Sequence, residues 1–250
     1  MADENLLDPP IKEALIDIRT SQEDVHEYVE TFHEKIIDNF PEKQIKRELS
    51  VSLSKKSEEE KHDLSQEEAV KGYAFKSLDG SEFVQVDNDG FTFSFVGDYE
   101  GWSKFINLFK PLWEDYVDTM QPDSISRIGV RFINKIDIPR SKTLDDYIVT
   151  LPRTKDDKSF VLREMFMRLV FPDKNNENNI GILTEAINPK EVTEKSIPFI
   201  MDVDVFCEEI FSIDYDAMSS KLEELRTYKN QIFFSSITDE AIGKFKEKGK

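Results

Sequence analysis

A succession of elements recurs about 110 residues apart in this 250-residue chain, and it narrows the fold more than any single motif does. A short strand, Ala14 to Arg19 and again Ser126 to Ile136, leads through a helical stretch into several strands, and each half closes on a long amphipathic helix. A duplicated strand-helix-strands-helix unit of this kind is α+β in class. It builds one antiparallel sheet with its helices on one face and leaves the other face open to bind. The halves divide as residues 1–123 and 124–250 within one compact domain, and their match lies in element order rather than residue identity.

Periodicity sets the elements. Ala14, Ile16 and Ile18 share one side of the first strand. Ser21-Gln22-Glu23-Asp24 resembles a capping box, and Val25, Tyr28, Val29, Phe32, Ile36 and Phe40 predict a helix that Pro41 ends. Trp102, Phe105, Phe109, Leu112, Tyr116 and Met120 predict a second helix, interrupted by Pro111, and Met218, Leu222, Leu225, Tyr228 and Ile232 a third. Leu144 to Leu151 stands where the first half has its first helix. Strands are expected at Glu48–Leu53, Gly72–Ser77, Phe83–Asp87, Phe91–Val96, Phe160–Phe171, Ile180–Ile187 and Ile197–Cys207. Ser54 to Lys71, rich in Lys and Glu and poor in apolar residues, reads as a mobile loop.

Composition closes off several classes of function. A net charge of −18 repels phosphate backbones, and acidic residues flank or interrupt the basic clusters Lys43–Arg47 and Lys244–Lys250, so direct nucleic-acid binding is disfavoured. Apolar runs are too short to span a bilayer and the N-terminus lacks a secretion signal, which makes a soluble cytoplasmic protein with no membrane partner the expectation. Cys207 is the only cysteine and excludes an internal disulfide. The three histidines have no nucleophile at a catalytic spacing, and no glycine-rich phosphate loop is present. No catalytic residue, metal ligand or cofactor is assigned.

The candidate binding residues come from strand alternation, which collects charge on the face opposite the apolar one. The first strand offers Asp17 and Arg19, the restarting strand Arg127 and Arg131, and a later strand Asp202 and Asp204, with Arg168 as a further candidate. Arginines grouped this way hold an anion or a partner's carboxylates by bidentate hydrogen bonds. The competing reading is cross-strand ion pairing on a solvated face. Asp202-Val203-Asp204 also suggests a metal-dependent hydrolase, but no ligand motif accompanies it and this reading ranks last.

Five segments together resemble a sporadically distributed family of uncharacterised microbial proteins of about this length. They are Pro9-Pro10-Ile11 through Arg19, Gly90-Phe91-Thr92-Phe93-Ser94 with Tyr99 and Gly101-Trp102, Arg127 through Ile136, Met201 through Phe206, and Lys229-Asn230-Gln231-Ile232-Phe233-Phe234 through Thr238. The resemblance implies an accessory, antitoxin-like or defence-associated role and brings no activity with it. The leading expectation is therefore a non-enzymatic binding protein that engages a protein partner; a homo-oligomer is compatible with it. The alternative is a small-molecule or anion sensor, its ligand held between the two halves by aromatics and Arg19 or Arg131.

Overall fold

The computed structural model describes residues 6–21, 25–55, 62–153 and 162–247, with the side chains of 49–55 and 62–68 outside that description. Among the described residues nine strands form one antiparallel sheet: β1 (Ile11–Ser21), β2 (Glu42–Lys55), β3 (His62–Lys76), β4 (Glu82–Asp87), β5 (Gly90–Val96), β6 (Ser124–Pro139), β7 (Met165–Pro172), β8 (Asn179–Ile187) and β9 (Ser196–Cys207). Their order across the sheet is β2-β3-β4-β5-β1-β6-β9-β8-β7. Four α-helices accompany them among these residues: α1 (Val25–Ile36), α2 (Trp102–Met120), α3 (Tyr215–Ser236) and α4 (Asp239–Phe245). No helix among the described residues is long and apolar enough to cross a membrane.

The register shows why one face is buried. A row of directly opposed residues, Phe75, Val84, Phe93, Ile16, Val130, Val205 and Gly181, runs from β3 to β8. All but the glycine are large and apolar, and all six are fully buried. The helices pack on this face as one core. Phe32 of α1 meets Phe75 and Phe91 at 5.7 and 6.5 Å, Phe105 of α2 stacks on Phe93 at 5.3 Å, and α3 lies so close to β8 that a Cβ on Gly181 would sit 2.3 Å from Ile232. Gly181→Leu is therefore expected to lower stability by about 1–3 kcal/mol, the usual cost of overpacking, measurable by urea denaturation.

Sequence and structure part in four places. Helix α1 ends at Ile36, four residues before Phe40, because the residue ahead of Pro41 is pushed out of the helical region; Phe40 instead closes a turn through its N–H to the Ile36 carbonyl at 2.9 Å. Leu144 to Leu151 yields only a 3-10 turn, Leu144–Asp146, capped by Thr143: eight residues ahead of Pro152 are too few to offset helix nucleation. Helix α4 was not anticipated, although Thr238 caps it by accepting from Ala241 N–H and buries Ala241 and Phe245. Among the described residues the second half thus has no counterpart of α1. Read outward from the central β1–β6 pair the strands follow β1-β5-β4-β3-β2 on one side and β6-β9-β8-β7 on the other; this shared order does not establish a duplication.

The fourth difference is the tract Ser54–Lys71. It is mostly strand rather than loop: β2 and β3 pair continuously from Glu42↔Lys76 out to Lys55↔His62, while β4 reaches β3 only as far as Gly72. Beyond that point β2 and β3 pair with each other alone, as a two-stranded ribbon. Residues 56–61 lie outside the described residues, as does most of the expected capping box at 22–24. Because β2 and β3 pair only with each other there, replacing 49–68 with an Asn-Gly turn between Glu48 and Ala69 should shift stability by less than about 0.5 kcal/mol in a urea melt.

Candidate functional site

Strand alternation brings all six predicted charges to the open face. On β1 and β6, Arg19 lies directly opposite Arg127, and Arg131 lies opposite Asp204 of β9. Asp17 joins the first group: it accepts from Arg19 Nε at 3.2 Å, from Thr92 Oγ1 at 2.9 Å and from Arg127 Nη1. Arg19 also reaches Asp89 at 2.7 Å. Arg131 holds Asp202 in a bidentate pair, Nε to Oδ1 at 2.9 Å and Nη2 to Oδ2 at 2.6 Å, while Arg127 approaches Asp204 at 3.8 Å and covers the Phe206 ring at 4.3 Å. Each arginine is therefore in contact with a carboxylate of the same sheet.

Electrostatics follows from these contacts. The Asp202 hydrogen bond raises the Arg131 pKa against the opposing effect of burial; burial likewise works against the Arg19 cation, but Asp17 and Asp89 outweigh it. Burial raises the Asp204 pKa, which Arg127 and Arg131 only partly offset. Arg168 shares this face but lies on β7, two strands from Asp202, and is exposed with no ion pair among the described residues. No group of three or more His, Cys, Asp or Glu side chains among the described residues is arranged to hold a metal ion. Burial pushes the Cys207 thiol up to about 12, so it is a neutral side chain rather than a thiolate.

A cavity of about 770 Å³ lies on the other side of the sheet, and sequence reasoning missed it. Its walls come from four separated stretches: the N-terminal run Leu6–Lys12, residues 98–102 leading into α2, Phe132 and Asn134 of β6, and the turns of α3 around Lys229 and Phe233. Helix α2 belongs to the first half and α3 to the second, so the cavity opens between the halves. Pro9 and Pro10, which have no N–H to donate, carry the chain past its mouth, and the Pro10 carbonyl accepts from Lys135 N–H at 2.8 Å. Arg19 and Arg131, expected to hold a ligand between the halves, are on the opposite face from this cavity.

Two buried polar side chains mark the cavity wall. Asn134 is 2 % exposed, and its Nδ2 donates to the Phe132 carbonyl at 3.2 Å and the Met201 carbonyl at 3.0 Å. Both partners are acceptors, which fixes the amide orientation and leaves Oδ1 as the group without a bond among the described residues. Lys229 is 8 % exposed, and its ammonium stands 3.9 Å over the Phe132 ring. Trp102 forms an aromatic side: its Nε1 donates to Glu223, and Arg226, paired with Glu223 at 3.0 Å, lies over its ring at 5.5 Å. Acidic residues, Asp8, Asp98 and Glu100, stand exposed around the rim. The signal for these residues was present in the sequence. Asn134 is the single polar residue in the series Ile128, Val130, Phe132, Asn134, Ile136, Ile138, and Lys229 breaks the stripe of α3.

Glu185 is a third such break, between Leu183 and Ile187 on β8. It is fully buried, accepts from Thr150 Oγ1, and has no partner for Oε2 among the described residues. Burial raises its pKa above the ordinary 4.5. The folded protein thus keeps a proton that the unfolded chain gives up as pH rises past 4.5, and stability falls with rising pH from there toward the raised value. A Glu185→Gln variant should lack this decline, so the stability difference between the two proteins, followed by urea melts across pH 4.5 to neutrality, should move in the variant's favour.

Compared with known proteins, the chain matches no protein-family model and no curated protein sequence.

Proposed function

We propose that this is a non-enzymatic binding protein whose ligand is a small molecule held in the cavity between α2 and α3. One observation carries the reading: a cavity of about 770 Å³, within the size range of ligand sites, opens between α2 and α3 with the rings of Tyr99, Trp102, Phe132 and Phe233 and the buried amide of Asn134 in its wall. Asn134 Oδ1 is buried without a hydrogen bond among the described residues, which costs free energy that a ligand donor placed there recovers. Residues of the segments that carry the family resemblance meet here too, since Pro9-Pro10, Gly101-Trp102, Phe132 and Asn134, and Lys229, Asn230, Phe233 and Phe234 line the cavity. A cytoplasmic accessory or defence-associated role, in which the ligand is a signal, is the setting proposed for it.

The test is a thermal-shift screen of the full chain against a panel of anionic and zwitterionic metabolites, repeated with Lys229→Met and with Arg19→Gln/Arg131→Gln. The expected result is stabilisation by at least one compound that Lys229→Met loses and the double variant keeps. A panel without any hit, or a hit lost only in the double variant, contradicts the reading. A protein partner is the second reading, and it rests on Phe166 and Val170, 77 % and 51 % exposed on β7, the edge strand among the described residues, where backbone and apolar side chains offer a place for an extended segment. Pull-down with Phe166→Lys would test it: loss of a partner retained by Lys229→Met supports docking at β7, and a partner that binds both variants equally rules this strand out.

A further inference from the structure

We infer, building on that reading of the cavity, that the part of the ligand enclosed between α2 and α3 is an uncharged aromatic ring bearing a single hydrogen-bond donor, of the indole or phenol kind. The polar side chains lining the cavity are of three sorts. Asp8, Lys12, Asp98 and Glu100 are exposed at the rim, where water solvates them. Deeper, the Trp102 N–H is taken by Glu223, Arg226 pairs with Glu223 at 3.0 Å, and Tyr99, Lys229 and Asn230 have interactions of their own within the chain, so each already has a partner. Asn134 is the third sort. It is 2 % exposed, both of its hydrogen bonds run from Nδ2 to carbonyl groups, and its Oδ1 accepts from none of the described residues. An amide held in that orientation needs a donor and gives nothing to an acceptor. The rings of Trp102, Phe132 and Phe233 in the same wall favour a flat apolar body around that donor. A charge on the enclosed body would lose its water and find no unengaged counter-ion, so a carboxylate or ammonium, where the ligand has one, belongs at the rim. Further polar atoms on the ring would likewise be buried unpaired. That condition separates an indole or a phenol, with one N–H or O–H on an otherwise apolar ring, from a nucleobase, whose ring carries several acceptors.

Calorimetric titration of the full chain with two matched pairs tests the assignment: indole beside benzofuran, in which oxygen replaces the N–H, and 4-ethylphenol beside 1-ethyl-4-fluorobenzene, in which fluorine replaces the hydroxyl. At least one donor should bind, and its matched compound should bind at least about tenfold more weakly, the loss expected when a buried polar group is left unpaired. The pair that shows the split identifies the donor as N–H or O–H. Adenine, flat but rich in acceptors, should also bind at least about tenfold more weakly than the donor. In Asn134→Leu the two members of that pair should bind equally, with the compound lacking the donor bound no more weakly than by the unchanged protein, a result that a misfolded variant would not give. Equal binding within both pairs by the unchanged protein, or a preference that persists in Asn134→Leu, overturns the role of Asn134 Oδ1; the first of these needs no variant. Adenine binding more tightly than both donors overturns the single-donor ring. If neither indole nor 4-ethylphenol binds, the inference falls alone where the metabolite panel yields another cavity ligand, and together with the cavity reading where the panel yields none.

Discussion

Replacing Trp102 with alanine is expected to cost about 3–5 kcal/mol of folding stability, the range for removing a large aromatic from a core. Trp102 is 7 % exposed and opens α2. Its ring lies 5.9 Å from Phe105 and 6.4 Å from Phe132, so it joins the helix of the first half to the strand that begins the second. Truncation also strips Glu223 of the indole donor and Arg226 of the ring beneath it. Trp102→Phe, which keeps an aromatic anchor but no N–H, should recover more than half of the loss. Chemical denaturation of the three proteins measures this, and an unchanged midpoint for Trp102→Ala would show that the junction between halves does not depend on that side chain.

Asp17→Ala should be the most damaging single change on the open face, at about 2–4 kcal/mol. Breaking a buried pair costs about 3–5 kcal/mol because a charge is left uncompensated. The figure is reduced here because the Arg19 and Arg127 side chains keep 32 % and 20 % exposure and so retain some water. Asp17 is nonetheless the carboxylate that both arginines contact, and they stand directly opposite each other on adjacent strands; without it, two like charges face across the ladder. Asp17→Asn keeps the shape and should lose nearly as much. Arg131→Gln, which gives up a more exposed pair, should cost only about 0–1 kcal/mol. If all three variants melt together, the ladder is not held by Asp17 and the charges are more available for a partner than their contacts suggest.

Period-two alternation made both faces of the sheet legible before any strand order was known: Ala14, Ile16 and Ile18 went inward, and Asp17 and Arg19 outward. That is a property of single strands. The pairing of β1 with both β5 and β6 joins residues more than seventy positions apart, and no local pattern encodes it. The same limit hid the cavity. Its wall runs from Leu6 to Phe234, and Trp102, Phe132 and Phe233 each look locally like part of a core stripe. Only Asn134 and Lys229 stood out as polar interruptions, and a sequence alone does not tell a buried interruption from a solvated one. The tract Ser54–Lys71 misled for the opposite reason: its composition promised little burial, yet β2 and β3 pair through most of it.

The two tryptophans give the most direct test of the cavity. Trp102 lines it, whereas Trp113, 2 % exposed, packs between Phe109 and Tyr116 farther along α2 and does not. In a ¹⁵N–¹H spectrum their indole N–H groups give two resolved reporters. Titration with a compound that stabilises the protein should move the Trp102 indole signal, saturably and with the same affinity as the thermal shift, while the Trp113 signal stays in place. A ligand that stabilises the protein and leaves Trp102 unmoved would contradict binding between the halves.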